Sequence, residues 1–242
     1  MVQNIFSFTK YNYLIWVNAA FLIVLLLLDK ADALTIVFAY FLETIIIGIL
    51  HVIKLWLCVK YGKSDSSENQ NGVSGYGIIP FFMIHYGMFV AIQSIFAFSF
   101  FDSKIPEIKS GFNLIENYSY LLSQEGIQII VASLFITNLS YFYNNFLIHK
   151  KYQDYKPSSL LFKPYGRIFI QQFVVILAGF FFVLTAADMA AAILLIGFRL
   201  IIDLSIVSIR KDSKPFESFV KKHSNSYEHY LKMKEEYQKY SE

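Results

Sequence analysis

Two histidines, His51 and His85, are the residues whose type and placement could do chemistry. Each interrupts a long apolar stretch eight residues from one end, which corresponds to a depth of about 12 Å in a membrane-spanning helix. An imidazole at that depth can ligate a metal ion or a haem iron. One hypothesis is therefore a metal or haem site at His51 and His85, with Asp203 or Glu43 as a further ligand. A hydrogen-bonded histidine with a structural role is the alternative.

Five further polar side chains lie inside apolar stretches: Glu43, Gln93, Asn138, Arg199 and Asp203. Such groups are costly in hydrocarbon, so they usually face the protein interior or a water-filled path. Their estimated depths place Glu43, Gln93 and Arg199 in one polar layer, and Asn138 and Asp203 in a second layer with the histidines. Arg199 and Asp203 are four residues apart and can pair on one helix face. The layers predict an ion or substrate path, and the alternative is a buried Glu43–Arg199 pair that fixes helix register.

The composition indicates that membrane-spanning helices must position these residues. Of the 242 residues, 56% are hydrophobic and 16% are charged, whereas soluble domains average about 25% charged residues. The mean hydropathy is +0.47. This composition excludes a disordered chain, a coiled coil and a nucleic-acid-binding domain, and it predicts an integral membrane protein. The single cysteine, Cys58, excludes an intrachain disulfide and a cysteine-based metal site.

Six apolar stretches approach the length of about 20 residues that a spanning helix needs. The predicted spans are 11–28, 34–59, 77–101, 126–147, 166–187 and 189–209. The stretches are apolar throughout rather than alternating, so we predict helices and exclude a membrane barrel. The last two are continuous, and a single helix would be about twice as long as the membrane is thick, so a turn is predicted at 185–188 with Asp188 as a cap. The predicted fold is an all-α, six-transmembrane-helix bundle over residues 1–210.

Pairs of small residues four positions apart predict where helices approach each other closely. Thr44 with Gly48, and Gly87 with Ala91, are two such pairs in the predicted second and third spans. We expect these pairs to serve helix packing rather than function.

The distribution of lysine and arginine predicts the orientation of the spans. With six spans, eleven basic residues in or near the connecting segments fall on one side of the membrane and three on the other. Cytoplasmic loops carry the excess of positive charge, so both termini are predicted in the cytoplasm of a multi-pass cell-membrane protein. The first span is interpreted as a retained helix rather than a signal peptide, because only Lys10 precedes it as a basic residue.

Residues 211–242 form a tail of different character. Apolar and aromatic residues recur there at three- and four-residue spacing, which predicts a cytoplasmic amphipathic helix. Its charges are mixed, so packing on the cytoplasmic face of the bundle or on a second protomer is favoured. The alternative is that residues 214–242 dock a cytoplasmic partner or anionic lipid. The lipid bilayer is the partner that the composition implies, a homo-oligomer is compatible with it, and nucleic acid is excluded.

Two resemblances to known families involve these polar residues. Phe81 to His85 resembles the FxxxH element of CAAX-type intramembrane metalloproteases. That family adds an adjacent Glu-Glu pair and a later His-x-x-x-Asn/Asp, whereas here Glu43 stands alone and the later position reads Arg199-x-x-x-Asp203. No protease activity is therefore predicted.

The second resemblance covers more of the chain. Glu43, His51 and Lys54 in the second predicted span precede a His-Tyr-Gly-Met-Phe element at 85–89. This combination resembles an uncharacterised family of microbial multi-pass membrane proteins that is known only as a domain of unknown function. The resemblance implies the six-span topology and assigns no activity.

Three function classes stay open, because the sequence contains no Walker A, GxSxG or GxGxxG motif. The favoured class is a small transporter or channel-like protein whose polar layers line a path. The second is a membrane enzyme or redox protein with a metal ion or haem at His51 and His85. The third is a scaffold or accessory subunit whose tail recruits a partner. The sequence leaves open whether the protein is an enzyme, and it does not identify a substrate.

Overall fold

The structure, a computed structural model, describes part of the chain. The described residues are 6, 8, 12–31, 33–63, 75–101, 105–166, 168–170, 172, 173, 176, 188–208, 220, 221, 224 and 226–240. The secondary structure in these ranges is helical throughout. The predicted all-α class is therefore confirmed.

The described part of the chain contains eight α-helices. In chain order they are α1 (Tyr13–Leu27), α2 (Ala33–Tyr61), α3 (Ile78–Phe101), α4 (Leu114–Ser123), α5 (Glu125–Phe142), α6 (Pro157–Leu160), α7 (Asp188–Ser208) and α8 (Tyr227–Tyr240). A 3-10 helix, Gly75–Gly77, leads into α3, and a π-helix, Tyr143–Leu147, continues α5. A second 3-10 helix, Lys151–Gln153, precedes α6. The described residues divide into two compact units, Leu25–Leu195 and the combination of Met1–Val24 with Ile196–Glu242.

Three helical segments are long and apolar enough to cross a membrane. They are Leu34–Tyr61 in α2, Gly75–Ser99 in α3 with the turn before it, and Glu125–Leu147 in α5 with the π-helix after it. Their ends agree to within two residues with the second, third and fourth predicted spans. Long uninterrupted apolar runs made these spans easy to predict. Their length and composition indicate a membrane protein.

The described residues do not support the predicted count of six spans. Helix α1 lies in the first predicted span, 11–28, but has 15 residues. That length is about 22 Å, which is short of the hydrocarbon thickness of about 30 Å. The predicted span 166–187 falls largely outside the described residues, as do residues 185–187 of the predicted turn. Helix α7 begins at Asp188 and overlaps the predicted span 189–209. It is not one of the three segments that are long and apolar enough to cross a membrane.

Helix α2 packs against α3, α5 and α6 within the unit Leu25–Leu195. Its first turns are apolar on every face, and Ile36, Phe38 and Ala39 are almost completely buried. A helix that is apolar all round requires neighbours or lipid on every side. Phe38 stacks on Phe98 of α3, with the ring centroids 5.1 Å apart. This contact fixes one end of α2 against α3.

Gly48 brings α2 and α3 together at a second point. A Cβ atom at Gly48 would lie 2.5 Å from Cε1 of Tyr86 on α3, so a larger residue would displace the ring. The Tyr86 hydroxyl donates a hydrogen bond to the carbonyl oxygen of Thr44 at 2.9 Å. The predicted close approach is confirmed at Gly48. At Gly87, a Cβ would have no described neighbour within 4 Å, so the close approach predicted there stays a prediction.

The unit of Met1–Val24 and Ile196–Glu242 contains the predicted tail. Helix α8 lies in this tail, where the sequence predicts an amphipathic helix. Tyr227 and Leu231 are four residues apart on α8 and are 76% and 43% exposed. The division of the chain at residue 210 stays a prediction.

We expect Gly48→Ala to lower the free energy of unfolding by about 1–3 kcal/mol, because the added methyl group overpacks the α2–α3 contact. The Tyr86 ring has little room to move, since it is 5% exposed and stacks on Phe82 at 4.8 Å. Denaturant unfolding in detergent measures the change. Gly87→Ala is the matched control and should gain up to about 1 kcal/mol from helix propensity. Equal stability of the two variants would show that the α2–α3 contact does not depend on Gly48.

Candidate functional site

All seven predicted site residues lie within the described part of the chain. They are Glu43 and His51 on α2, His85 and Gln93 on α3, Asn138 on α5, and Arg199 and Asp203 on α7. The first five belong to the unit Leu25–Leu195, and the last two belong to the other unit.

His51 forms a hydrogen bond with the backbone of the last residue of α6. Its Nε2 atom lies 3.0 Å from the carbonyl oxygen of Leu160. Because a carbonyl oxygen can only accept, Nε2 must carry the hydrogen, and Nδ1 is the ring nitrogen left for any other ligand. The imidazole is 5% exposed and packs against Phe82, with the ring centroids 4.9 Å apart. Nothing in the spacing of His51 within α2 indicated this partner.

The local sequence explains why the Leu160 carbonyl accepts a side-chain donor. In a continuing α-helix it would accept from the amide of residue 164, but Pro164 has no N–H group. The amide of Lys163 donates to this oxygen at 3.1 Å, and His51 supplies the second donor. Sequence reasoning missed this carbonyl, although the proline was a usable signal.

His85 lies in a cage of aromatic rings. Its Nδ1 atom is 2.7 Å from the Tyr165 hydroxyl, and either atom can be the donor. The imidazole stacks on Phe81 at 5.4 Å between ring centroids and meets Phe89 edge-on at 5.2 Å. The sequence identified His85 but not Tyr165. Phe89 also meets the Tyr165 ring edge-on at 5.7 Å between centroids, so one aromatic ring contacts both members of the pair.

Gln93 binds the same segment as the two histidines. Its Nε2 atom donates to the carbonyl oxygen of Ile168 at 3.3 Å, while its Oε1 atom has no hydrogen-bond partner among the described residues. Polar side chains of α2 and α3 thus contact the short stretch 160–168 at three points. Those contacts attach an irregular segment to two of the candidate spans.

Glu43 pairs with Asn138 across α2 and α5. The Asn138 Nδ2 atom donates to Glu43 Oε1 at 2.7 Å and also to the carbonyl oxygen of Leu134 at 2.8 Å. The Glu43 side chain is 3% exposed. The sequence placed Glu43 and Asn138 in different polar layers, and that separation is wrong. Glu43 is about 15 Å from one membrane face and Asn138 about 14 Å from the other. Both depths correspond to the middle of a hydrocarbon core about 30 Å thick.

Arg199 and Asp203 form the local ion pair that their spacing predicts. Arg199 Nε lies 3.2 Å from Asp203 Oδ2, and both side chains are largely buried. The pair joins adjacent turns of α7. The predicted pairing of Glu43 with Arg199 joins residues of two different units and stays a prediction.

The described residues contain no group of three or more His, Cys, Asp and Glu side chains arranged to hold a metal ion. In the structure, His51 hydrogen-bonds to Leu160 and His85 to Tyr165. A metal or haem role for these histidines therefore stays a prediction, with Nδ1 as the ligating atom at His51.

The sequence matches DUF6498, a family of unknown function, over residues 1–219. The chain belongs to this family. The expected membership of an uncharacterised family is thereby confirmed, and all seven candidate residues lie in the DUF6498 region. No curated protein and no solved structure matches the chain.

In this DUF6498 chain, His51→Leu should lower the free energy of unfolding by about 0.5–1.5 kcal/mol, because the buried Leu160 carbonyl loses one of its two donors and keeps the Lys163 amide. His149→Leu is the matched control, since His149 is exposed, and a surface change is expected to stay within about 0.5 kcal/mol. Thermal unfolding in detergent measures both. If the two variants unfold alike, the hydrogen bond of His51 contributes nothing to the fold.

The same preparations test the metal prediction. Elemental analysis and a visible spectrum of the wild type detect a bound metal or haem. Loss of that signal in His51→Leu and in His85→Leu would identify the ligands. A signal retained in both variants would contradict the assignment.

Proposed function

We propose that the protein is a small transporter or channel-like membrane protein in which Glu43 takes up and releases protons. The observation that carries this proposal is the contact between Glu43 and Asn138, a 2.7 Å hydrogen bond between two candidate spans. An acidic side chain in a spanning helix is costly, and such residues commonly mark ion or proton pathways.

The chemistry of the pair supports proton exchange. A carboxylate accepts a charge-assisted hydrogen bond from the Asn138 amide, whereas a protonated carboxyl group accepts a weaker one. The same amide nitrogen also donates to Leu134 O within α5, so Asn138 stays anchored when its bond to Glu43 weakens. Proton uptake at Glu43 would then loosen the α2–α5 contact while leaving α5 intact. A contact that depends on protonation can bias a helix rearrangement.

The charge distribution supports a location in the cell membrane with the basic segments inside. Residues 149–167 contain five basic residues and one acidic residue, Asp154. Short loops of this kind face the cytoplasm in most membrane proteins. The proposed proton path therefore leads from the opposite side of the membrane towards this basic segment.

Glu43→Gln should abolish the pH-dependent infrared band of one buried carboxylic acid, because the amide cannot bind the proton. In liposomes with an entrapped pH-sensitive dye, the same variant should slow proton flux by about tenfold or more. Difference infrared spectra and dye fluorescence are the measurements.

Glu125→Gln is the matched control, since Glu125 is exposed in the first turn of α5. The Glu125→Gln variant should keep both the pH-dependent infrared band and the wild-type proton flux. A titrating band that survives in Glu43→Gln would contradict the proposal. So would wild-type flux no faster than that of protein-free liposomes.

A scaffold or accessory role is a second candidate, favoured by the exposed face of α8. Tyr227 and Leu231 share this face and expose much of their apolar surface, whereas Glu228 and Lys232 beside them supply charge. An exposed apolar pair on an amphipathic helix is suited to contact with another helix. We propose α8 of a second copy of the chain as that helix.

A photoreactive amino acid at position 227 of the full-length protein should then give a covalent dimer in the membrane. Leu231→Lys should reduce the dimer yield several-fold, because a charge enters the apolar contact. Glu228→Lys, which alters the charged side of α8, should reduce the yield less. Absence of the dimer, or equal yields in both variants, would contradict pairing through this face.

A further inference from the structure

Helix α4 is a short helix that lies where a candidate span begins. It has ten residues, and the corresponding length of about 15 Å is half of the hydrocarbon thickness. Gln124 is both the residue that ends α4 and the residue that precedes α5, and its backbone is extended. A single residue therefore joins α4 to the span Glu125–Leu147, and α4 must lie close to the membrane surface at which that span begins.

Close contacts also tie α4 to the end of α3. Gly111, three residues before α4, approaches the α3 backbone so closely that a Cβ atom would lie 2.9 Å from the amide nitrogen of Ser99. The Tyr118 hydroxyl shares a 2.5 Å hydrogen bond with the Ser94 hydroxyl. Because the candidate span Gly75–Ser99 ends at these contacts, α4 lies at the level at which α3 reaches the same membrane surface.

The side chains of α4 point in three directions. Asn117 and Leu121 are four residues apart and face the protein, since each is 2% exposed. Ile115 and Leu122 are seven residues apart, which places them within about 20° of each other on a different side of the helix. They are 88% and 45% exposed. An apolar side of α4 is therefore left without cover in the structure.

Polar residues occupy the third side of α4. Glu116 and Ser123 are also seven residues apart, and both are exposed. The Glu116 carboxylate accepts a hydrogen bond from the Asn113 side chain at 3.3 Å. Ser119 lies between the polar side and the apolar side. A helix with one buried, one apolar and one polar side is suited to the boundary between protein, lipid and water.

We propose that the apolar side of α4 inserts into the leaflet at which α3 ends and α5 begins. Ile115 and Leu122 form this side, and Phe112, just before the helix, adds an aromatic ring that is 76% exposed. Amphipathic helices bind membranes with the apolar face about 5–10 Å deep, at the boundary between headgroups and acyl chains. The polar side of α4 then faces water.

The helix that follows supports lipid as the occupant. Ile129 and Ile136 are seven residues apart on one face of α5 and are 38% and 63% exposed. Both belong to the candidate span Glu125–Leu147, and lipid covers an exposed apolar face of a span. The chain thus passes directly from the exposed apolar residues of α4 into a lipid-facing surface.

The size of the apolar side favours lipid over a protein partner. A stable protein interface buries about 800 Å² on each partner. Even a large aromatic side chain offers only about 150–250 Å², so the three exposed side chains at positions 112, 115 and 122 cannot supply that area by themselves. Insertion into a bilayer has no such minimum, because binding strength scales with the apolar area that is buried.

The test measures the surroundings of single α4 positions in the full-length protein, reconstituted into phosphatidylcholine vesicles. Ile115→Cys and Leu122→Cys each carry a nitroxide spin label, and Glu116→Cys on the polar side is the matched control. Cys58 is 1% exposed and stays in place, and wild type taken through the same labelling measures its background. Power-saturation electron paramagnetic resonance compares collisions of the label with oxygen, which concentrates in lipid, and with a nickel chelate, which stays in water.

The ratio of oxygen collisions to nickel-chelate collisions should be several-fold higher at positions 115 and 122 than at position 116. The chelate is present on both sides of the vesicle membrane, so the orientation of the protein does not affect the result. Equal ratios at the three positions would overturn the proposal, because the apolar side would then face water.

Few collisions with either reagent at positions 115 and 122 would also overturn the proposal, because protein would then cover the apolar side. Dipolar broadening of the spectrum would in that case identify the cover as a second copy of the chain. All three replaced side chains are exposed, so the variants should fold like the wild type. Thermal unfolding checks this, and Ile115→Cys, at the most exposed position, carries the test if Leu122→Cys is unstable.

Discussion

The hydrogen bond from His51 to the carbonyl oxygen of Leu160 sets the position of the segment on which most of the site depends. Leu160 is buried, and a buried backbone oxygen must find donors within the protein because it is shielded from water. Pro164 withholds the donor that a regular helix would supply. The imidazole replaces it and draws residues 160–168 against α2. Within that segment, Tyr165 and Ile168 then come within reach of α3.

Helix α2 contacts several different neighbours through polar or small residues along its length. Glu43 binds α5, Gly48 accommodates a ring of α3, and His51 binds the last residue of α6. Further along, Lys54 lies beside the aromatic rings that end α5. The side chains of successive helical residues point 100° apart. Different residues of one long helix can therefore contact neighbours on different sides. This explains why changes along α2 are expected to affect separate contacts.

The acidic and basic side chains around α2 lie in different surroundings. Glu43 lies in the middle of a candidate span, where a neutral amide donor binds it and protonation can remove its charge. Lys54 and Lys163 lie near the end of the span, where aromatic rings hold their side chains. Charged groups of this unit thus lie in two different electrostatic surroundings.

The sequence predictions were accurate where they depended on a pattern within one helix. Spans 34–59, 77–101 and 126–147 are long apolar runs, and the structure reproduces their ends to within two residues. The pair of Arg199 and Asp203 was predictable because helical geometry brings neighbouring turns together. The first span was overestimated, since residues 11–28 are apolar enough but form a helix of only 15 residues.

By itself, the sequence determined the helical class, the membrane character, three spans and the positions of the polar side chains along them. Each of these depends on local composition or on a helical repeat. Only the tertiary structure decided that Glu43 meets Asn138, that His51 meets Leu160 and that His85 meets Tyr165. Such pairings depend on the rotation of each helix about its axis. They also depend on the path of an irregular segment, and one-dimensional spacing carries information on neither.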